Sequence, residues 1–174
     1  MSSWNNFLVQ QMGVDAYEQP YPVKESVAAW GIWCKDIPFK LFDKVKEPAS
    51  RNWFDEHGHD EYISPDGLYL DAYNISIELG CKKLTSAEAS KYGAGAAVTD
   101  VRSNVNNFLT WLRQAGFIKI YSTYTRIGRQ NVRLVSVDDN ATWGKDVDGD
   151  EFLIFKIELK VGDPVTDVTL TTSS

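Results

Sequence analysis

The stretch "EFLIFKIELKV" (residues 151–161) alternates apolar and charged side chains over most of its length. The odd-numbered positions from 153 onward are apolar: Leu153, Phe155, Ile157, Leu159 and Val161. The even-numbered positions between them are charged at Lys156, Glu158 and Lys160. Successive side chains of a strand point to opposite faces of a sheet, so this period of two predicts a half-buried β-strand. The chain therefore builds at least one sheet with a core face and a solvent face.

Three more segments have strand character. "LYLDAYNISIELG" (68–80) alternates in the same way, and "FIKIYS" (117–122) and "NVRLVSV" (131–137) are short apolar runs. "TRIGRQN" (125–131) separates the last two as a turn. "DDNATWGKDVDGD" (138–150) contains an Asp-Gly pair, which favours a tight hairpin turn before the strand at 151.

Weaker strand signals lie near the two ends of the chain. "AAWGIWCKDIPFKLFD" (28–43) is rich in aromatic residues, and two short strands broken near Asp36 and Pro38 would explain it. The tail "GDPVTDVTLTTSS" (162–174) begins with a proline-marked bend and is expected to add one edge strand, then to fray at its serines.

One long helix is expected between the two groups of strands. In "TDVRSNVNNFLTWLRQAG" (99–116) the apolar residues fall on one stripe at spacings of three and four: Val101, Val105, Phe108, Leu109 and Leu112. Thr99 or Asp100 can cap its start, and Gly116 suits its end. Upstream, "TSAEASKYGAGAA" (85–97) has Thr85 and Glu88 at capping-box spacing, which predicts a single helical turn and then a flexible loop.

These elements predict a single α+β domain over residues 1–174 that is mainly β. Antiparallel sheets in a sandwich-like or barrel-like arrangement carry one long helix, about residues 100–115, packed across them. Residues 1–27 and 171–174 are expected to be peripheral.

Charge and composition exclude several classes of function. The net charge is −6 and the pI is about 4.9, which argues against nucleic-acid binding as the main role because phosphates would be repelled. The sequence shows no signal peptide and no membrane-spanning run, so no membrane partner is expected. Cys34 and Cys81 could pair, but reduced and buried thiols in a reducing cytoplasm are the expected state.

Both histidines lie in the acidic stretch "RNWFDEHGHDEYISPDG" (51–67). On an extended backbone His57 and His59 would share one side with Asp55 and Glu61, an arrangement that could bind a divalent metal. Gly58 lets the backbone turn between them, and no third histidine or suitable cysteine exists. A solvated loop, with Trp53, Phe54 and Tyr62 anchoring its ends to the body, is the preferred interpretation, and a metal-dependent hydrolase ranks last.

No motif for another catalytic or cofactor site emerges. "DVDGDE" (146–151) has alternating aspartates, but its glycine is fourth instead of sixth and its twelfth position is Ile157, so a calcium loop is rejected. No nucleophile elbow or phosphate-binding loop is present. No enzyme activity, metal or cofactor is therefore predicted. The six tryptophans leave a monomeric carbohydrate-binding module as the main alternative function, with Trp111 and Trp143 as exposed candidates.

Residues 30–170 resemble phage distal tail proteins in the order of their motifs. The run "VNNFLTWLRQAGFIKIYSTYTRIGRQNVRLVSVDD" has a helix that ends in a small residue, a strand with a tyrosine, a "YT-x-x-GR" turn and a "VRL" strand. "FLIFKIELKVGDPVTDVTL" then follows as a long strand that enters an Asp-Pro bend. Upstream, "RNWFDEHGHDEYI" precedes the strand "LYLDAYNISIEL" with its "AY" entry.

The resemblance implies a virion structural protein of a phage or prophage tail. Such proteins have the fold of tail-tube subunits and form a hexameric ring that joins the tube to the baseplate or hub. The partners would be further copies of the chain and other tail proteins, with DNA only passing through the lumen. The protein would be found in the host cytoplasm during assembly and then in the virion. Subunit contacts are expected at the acidic loop 54–61 and the turn 124–131, with Asp55, Glu56, Asp60, Arg126 and Arg129 as candidates.

Overall fold

The computed structural model of the chain describes residues 4–41, 44–92, 100–138 and 141–172. About 40% of the described residues are strand and 17% are helix, so the prediction of a mainly β fold is confirmed. The elements in chain order are β1 (Phe7–Gln11), β2 (Lys24–Glu25), α1 (Ser26–Trp30), β3 (Ile32–Cys34), β4 (Ala49–Arg51), β5 (Asp60–Tyr62), β6 (Tyr73–Lys82), α2 (Ser86–Tyr92), α3 (Val101–Ala115), β7 (Ile118–Ser122), β8 (Gly128–Val137), β9 (Thr142–Lys145) and β10 (Glu151–Val161).

Strand β10 is the centre of the main sheet. It pairs antiparallel with β6 from Phe152↔Lys82 to Val161↔Tyr73, and its other edge pairs with β8 and β9 in succession. The Asp-Gly hairpin prediction is confirmed, since the amide N–H of Asp146 donates to the carbonyl of Asp150 at 2.9 Å between β9 and β10. The predicted alternation in β6 and β10 is confirmed as well, because the side chains on the apolar face of both strands are buried.

The main sheet is antiparallel and curls into a half-barrel. Its order is β2-β1-β7-β8-β10-β6-β3, with β9 beside β10. The edge strand β3 contacts the segment that precedes β1, where Asn5 and Cys34 exchange two backbone hydrogen bonds of 2.8 Å each. The curl of the sheet places the apolar faces of β1, β6, β7 and β10 around one core.

Helix α3 covers that core as predicted, with Val101, Val105, Phe108 and Leu112 buried against the strands. The ring of Phe108 meets the Trp30 ring edge-on, with centroids 5.1 Å apart. Asp100 caps the helix through its carboxylate, which accepts the N–H of Ser103 at 2.9 Å, and Gly116 follows its end. Thr99, the other cap candidate, lies outside the described residues.

The expectation of one long helix is wrong in number, because the helical residues are divided among three helices of 5, 7 and 15 residues. Helix α1 occupies part of the segment read as a strand. The Glu25 carboxylate accepts the N–H groups of Val27 and Ala28, and Gly31, at φ 64°, ends the turn. Of the two strands expected there, the described residues 28–41 contain only Ile32–Cys34.

The capping box of α2 is confirmed. The N–H of Thr85 donates to the Glu88 carboxylate at 3.0 Å, and the Glu88 N–H donates to the Thr85 hydroxyl at 3.3 Å. The helix runs for 7 residues, longer than the single turn expected. The glycine-containing loop 93–97 lies outside the described residues.

Both termini differ from expectation. The segment 1–27 was expected to be peripheral, but its described part, residues 4–27, is not, since Phe7 and Val9 are core residues and β1 lies between β2 and β7. The tail forms no strand over 162–172, and the terminal serines lie outside the described residues. The tail is held instead by a hydrogen bond from the Val168 N–H to the Gly128 carbonyl at 3.2 Å. Among the described helices, none combines the length and apolarity needed to cross a bilayer.

Candidate functional site

A two-stranded arm, defined here as residues 44–71, extends from the main sheet. Its base is a short ladder in which the Lys46 N–H donates to the Tyr69 carbonyl at 2.8 Å and the Asp71 N–H donates to the Lys44 carbonyl at 2.7 Å. Further out, β4 and β5 pair only with each other in the described sheets. Residues 52–59 form the tip.

The arm is the acidic part of the molecule. It contains three basic and seven acidic residues, which gives −4, whereas the remaining residues contribute only −2 to the net charge of −6. The structure brings the predicted candidates Asp55, Glu56 and Asp60 together at or beside the tip, where all three are exposed. Within the described part of the chain, none of their carboxylates has an ion-pair partner.

The aromatic side chains of the arm face solvent, so the prediction that they anchor the loop to the body is wrong. Trp53 is 48% exposed, Phe54 101% and Tyr62 69%. Every residue of β4 and β5 is exposed on both faces of the hairpin. An isolated two-stranded hairpin is marginally stable in water because nothing covers its faces, and both faces of this one are uncovered by the described part of the chain.

The two histidines remain apart from any multi-ligand cluster. His57 is exposed at the tip, and the His59 Nε2 lies 2.9 Å from a Glu61 carboxylate oxygen. Among the described residues, no group of three or more potential ligands could hold a metal ion. The described arm therefore presents charge and apolar surface without a preformed coordination site.

The two candidate arginines of the 124–131 turn have opposite environments. Arg126 is exposed at the end of the β7–β8 connection and has φ 59°. Arg129 is 3% exposed, and its guanidinium pairs with the Asp167 carboxylate of the same chain. Arg129 is therefore withdrawn as a subunit-contact candidate, because its charge is already buried and paired inside the subunit.

The two candidate tryptophans also separate. Trp111 packs against the core, with its ring centroid 5.2 Å from that of Trp30, and Lys24 lies 5.6 Å from the Trp111 ring. The interpretation of Trp111 as an exposed sugar platform is wrong for that reason. Trp143, on strand β9, is 52% exposed and keeps its candidate role.

The described part of the chain contains an interior void and a groove on the outer face of the main sheet. An interior void of about 10 Å³ is lined by apolar core residues such as Phe7 and Phe108, and it is no larger than one water. A shallow polar groove of about 230 Å³ lies on the outer sheet face beside Lys156 and Glu158. In the groove the Ser136 hydroxyl donates to the Glu158 carboxylate at 3.3 Å, and Ser76, Asp138 and Lys156 also line it.

Both thiols are free and buried, as expected. Burial raises the pKa of Cys34 to about 12, and burial also raises the pKa of Cys81 to about 12. A thiol with that pKa is protonated at neutral pH and is a poor nucleophile.

The sequence identified the acidic stretch and the basic turn, but it did not reveal that the large apolar side chains of the arm are exposed to solvent. A signal existed in the sequence, since four large apolar residues follow the acidic tip within eight positions and show no sustained period: Tyr62, Ile63, Leu68 and Tyr69.

The chain matches no protein-family model, and no curated protein is significantly similar to it.

Proposed function

We propose that the chain is a virion structural protein of a phage or prophage tail, which assembles as a homomeric ring between the tail tube and the baseplate or hub. The observation that carries the proposal is the arm, an acidic hairpin with uncovered apolar residues on a half-barrel body. The motif order described above supplies the assignment to tails, and the half-barrel with a covering helix is compatible with it.

Protein–protein contact explains the arm better than solvation does. Six of its large apolar side chains are at least 48% exposed: Trp53, Phe54, Tyr62, Ile63, Leu68 and Tyr69. A contiguous apolar surface rimmed by charges is typical of protein–protein interaction sites. The body needs no such element for folding, because its core is formed by the main sheet and α3.

The charge fits a ring through which DNA passes. Six copies of a chain with a net charge of −6 would carry −36 formal charges. Carboxylates near a lumen would repel phosphates, so DNA would pass without binding. The arm carries most of that charge, which makes it a candidate for lining the lumen or for meeting the next ring.

The experiment is the solution mass of the purified chain by light scattering at several protein and salt concentrations. One subunit is 19.6 kDa, so a ring of six has a mass of about 118 kDa. We expect a closed ring that weakens in high salt, because charged groups take part in the contacts. A monomer at every concentration, which is also not recruited to assembled tail tubes, would contradict the proposal.

Trp143 supports a second candidate, a monomeric carbohydrate-binding module. Its indole is 52% exposed on β9, where a sugar ring could stack on it. Glycan-array binding by the monomer, lost in Trp143→Ala but retained in Phe54→Ala, would favour this function over the tail assignment.

A further inference from the structure

A second exposed surface, which we call the basic end, is formed by residues 35–41 and 123–127. The two segments are neighbours in the fold. The Thr123 hydroxyl donates to the Asn6 carbonyl at 2.7 Å, and the adjacent Asn5 pairs with Cys34, which precedes Lys35. On the far side, the Arg129 guanidinium lies 6.0 Å from the Phe39 ring.

The basic end carries positive charge in an otherwise acidic chain. Its exposed charged residues are Lys35, Lys40, Arg126 and Asp36, which gives a net charge of +2. Glu78 lies 3.5 Å from the Lys35 ammonium group, so with Glu78 included the net charge is +1, and the nearby Arg129–Asp167 pair adds nothing to it. Arg126 has no ion-pair or side-chain hydrogen-bond partner among the described residues.

Exposed apolar groups accompany these cations. Tyr124 is 72% exposed beside Arg126, and Leu41 is 75% exposed beside Lys40. Arg126 itself adopts φ 59°, a left-handed conformation that residues with a β-carbon rarely adopt. The turn thus exposes Tyr124 and, two positions later, a guanidinium without a partner among the described residues, at a position where the backbone would favour glycine or asparagine.

The arm and the basic end are complementary, because one is acidic, the other is basic, and both expose apolar side chains. The outer half of the arm, residues 49–62, contains one cation and four carboxylates, which gives −3. Its aromatic residues Trp53 and Phe54 match the Tyr124–Arg126 pair, since arginine stacks well on aromatic faces. Within one copy the Phe54 side chain is fully exposed, so it is available for contact with a second copy.

The available area is sufficient for a real contact. With exposures of 48%, 101% and 69%, Trp53, Phe54 and Tyr62 offer roughly 400 Å², taking about 200 Å² for each aromatic side chain. That is about half of the roughly 800 Å² that each partner buries in a standard interface. Ile63, Leu68 and Tyr69 can supply much of the remainder.

We propose that the arm of one copy docks on the basic end of a second copy, with Trp53 and Phe54 against Tyr124 and Arg126. The inference rests on the homomeric assembly proposed above and names its contact surfaces. Because the two surfaces differ, the contact is head-to-tail, and repetition of one such contact closes a ring when the rotation permits.

Two double variants test the contact, each altering exposed side chains on only one of the two surfaces. The arm variant is Trp53→Ser with Phe54→Ser, and the basic-end variant is Tyr124→Ser with Arg126→Glu. We expect each variant alone to be a monomer, so the mass of the wild-type ring falls about sixfold. An equimolar mixture should form a dimer of about 39 kDa, twice the 19.6 kDa subunit, since one intact arm still meets one intact basic end.

The matched controls are Val147→Ser, which removes an equally exposed apolar side chain from the β9–β10 turn, and Arg113→Glu, which reverses an exposed charge on α3. Both controls should keep the wild-type mass. Circular dichroism and urea unfolding would show whether each variant is folded.

The outcomes separate this inference from the proposed function. Rings that persist in either double variant, or a mixture that remains monomeric, would overturn the arm-to-basic-end contact while leaving a homomeric ring in place. A wild-type chain that is monomeric and is not recruited to tail tubes would overturn both.

Discussion

The ion pair between the buried Arg129 and the exposed Asp167 predicts that removing either partner has a different effect on stability. The Arg129 side chain is 3% exposed, whereas the Asp167 side chain is 82% exposed. The guanidinium also donates to the Gly128 carbonyl at 3.0 Å, and its Nε has no hydrogen-bond partner among the described residues. Asp167→Ala therefore leaves a cation buried without its counter-ion, whereas Arg129→Met leaves a carboxylate in water.

The two costs follow from that difference. Removing one partner of a fully buried pair costs about 3–5 kcal/mol. Asp167 lies at the surface, where water can partly replace it, so we expect Asp167→Ala to lower the free energy of unfolding by about 2–3 kcal/mol. Arg129→Met should cost about 1 kcal/mol, since methionine fills part of the volume. The Gly128 carbonyl also keeps the Val168 N–H at 3.2 Å as its donor.

Urea unfolding followed by tryptophan fluorescence measures both values, with Asp148→Ala as the control for removal of an exposed carboxylate. We expect the double variant to resemble Arg129→Met, because removing Asp167 no longer matters once the buried cation is gone. The reasoning would be refuted if Arg129→Met cost as much as Asp167→Ala, or if Asp167→Ala stayed within about 0.5 kcal/mol of wild type.

Three further predictions concern the tail and the thiols. Gly128→Ala should destabilise the protein by about 1–3 kcal/mol and speed hydrogen exchange at the Val168 N–H. The reason is that a β-carbon at this position would lie 2.0 Å from the Val168 carbonyl oxygen. An unchanged exchange rate at Val168 would contradict this. Burial alone would raise the pKa of Asp163, but hydrogen bonds from the Gln130 side chain and from backbone N–H groups outweigh it and lower the pKa to about 2. Asp163 should therefore contribute about 1 kcal/mol to the free energy of unfolding, after allowance for solvent screening, above about pH 4, and this contribution should be lost as the pH falls towards 2. If Asp163→Asn left the decrease of the free energy of unfolding between about pH 4 and pH 2 unchanged, this would count against it. Cys34 and Cys81 should resist a thiol reagent at pH 8 in the native state and react together in urea, since burial raises both pKa values to about 12; rapid native labelling would disprove their burial.

Segments with a local period were predictable. Strands β6 and β10 each carry an alternating pattern over 10 or more residues, and the expected parity is buried in both. Helix α3 carries its apolar stripe over 15 residues, with Asp100 at its N-cap. Each of these signals lies within one segment of the chain, so no knowledge of distant partners was needed.

Short elements were not predictable for the corresponding reason. Strand β1 has 5 residues and helix α1 also has 5, which is too short for a period to appear. Phe7 and Val9 belong to the core only because β1 pairs with β7, more than a hundred residues away. The cap of α1 is a glutamate acting through its side chain, a residue that is not among the common N-caps.

The sequence by itself determined the mainly β class, the central strands, the covering helix, the hairpin turn at 146–150 and the acidic character of residues 54–61. Only the tertiary structure decided which similar side chains are buried. Arg126 and Arg129 are three positions apart in one turn, yet the tail covers one and leaves the other exposed. Trp111 packs on Trp30, whereas Trp53 and Phe54 face solvent. Burial depends on contacts between segments distant in the chain, and these contacts leave no periodic trace in the local sequence.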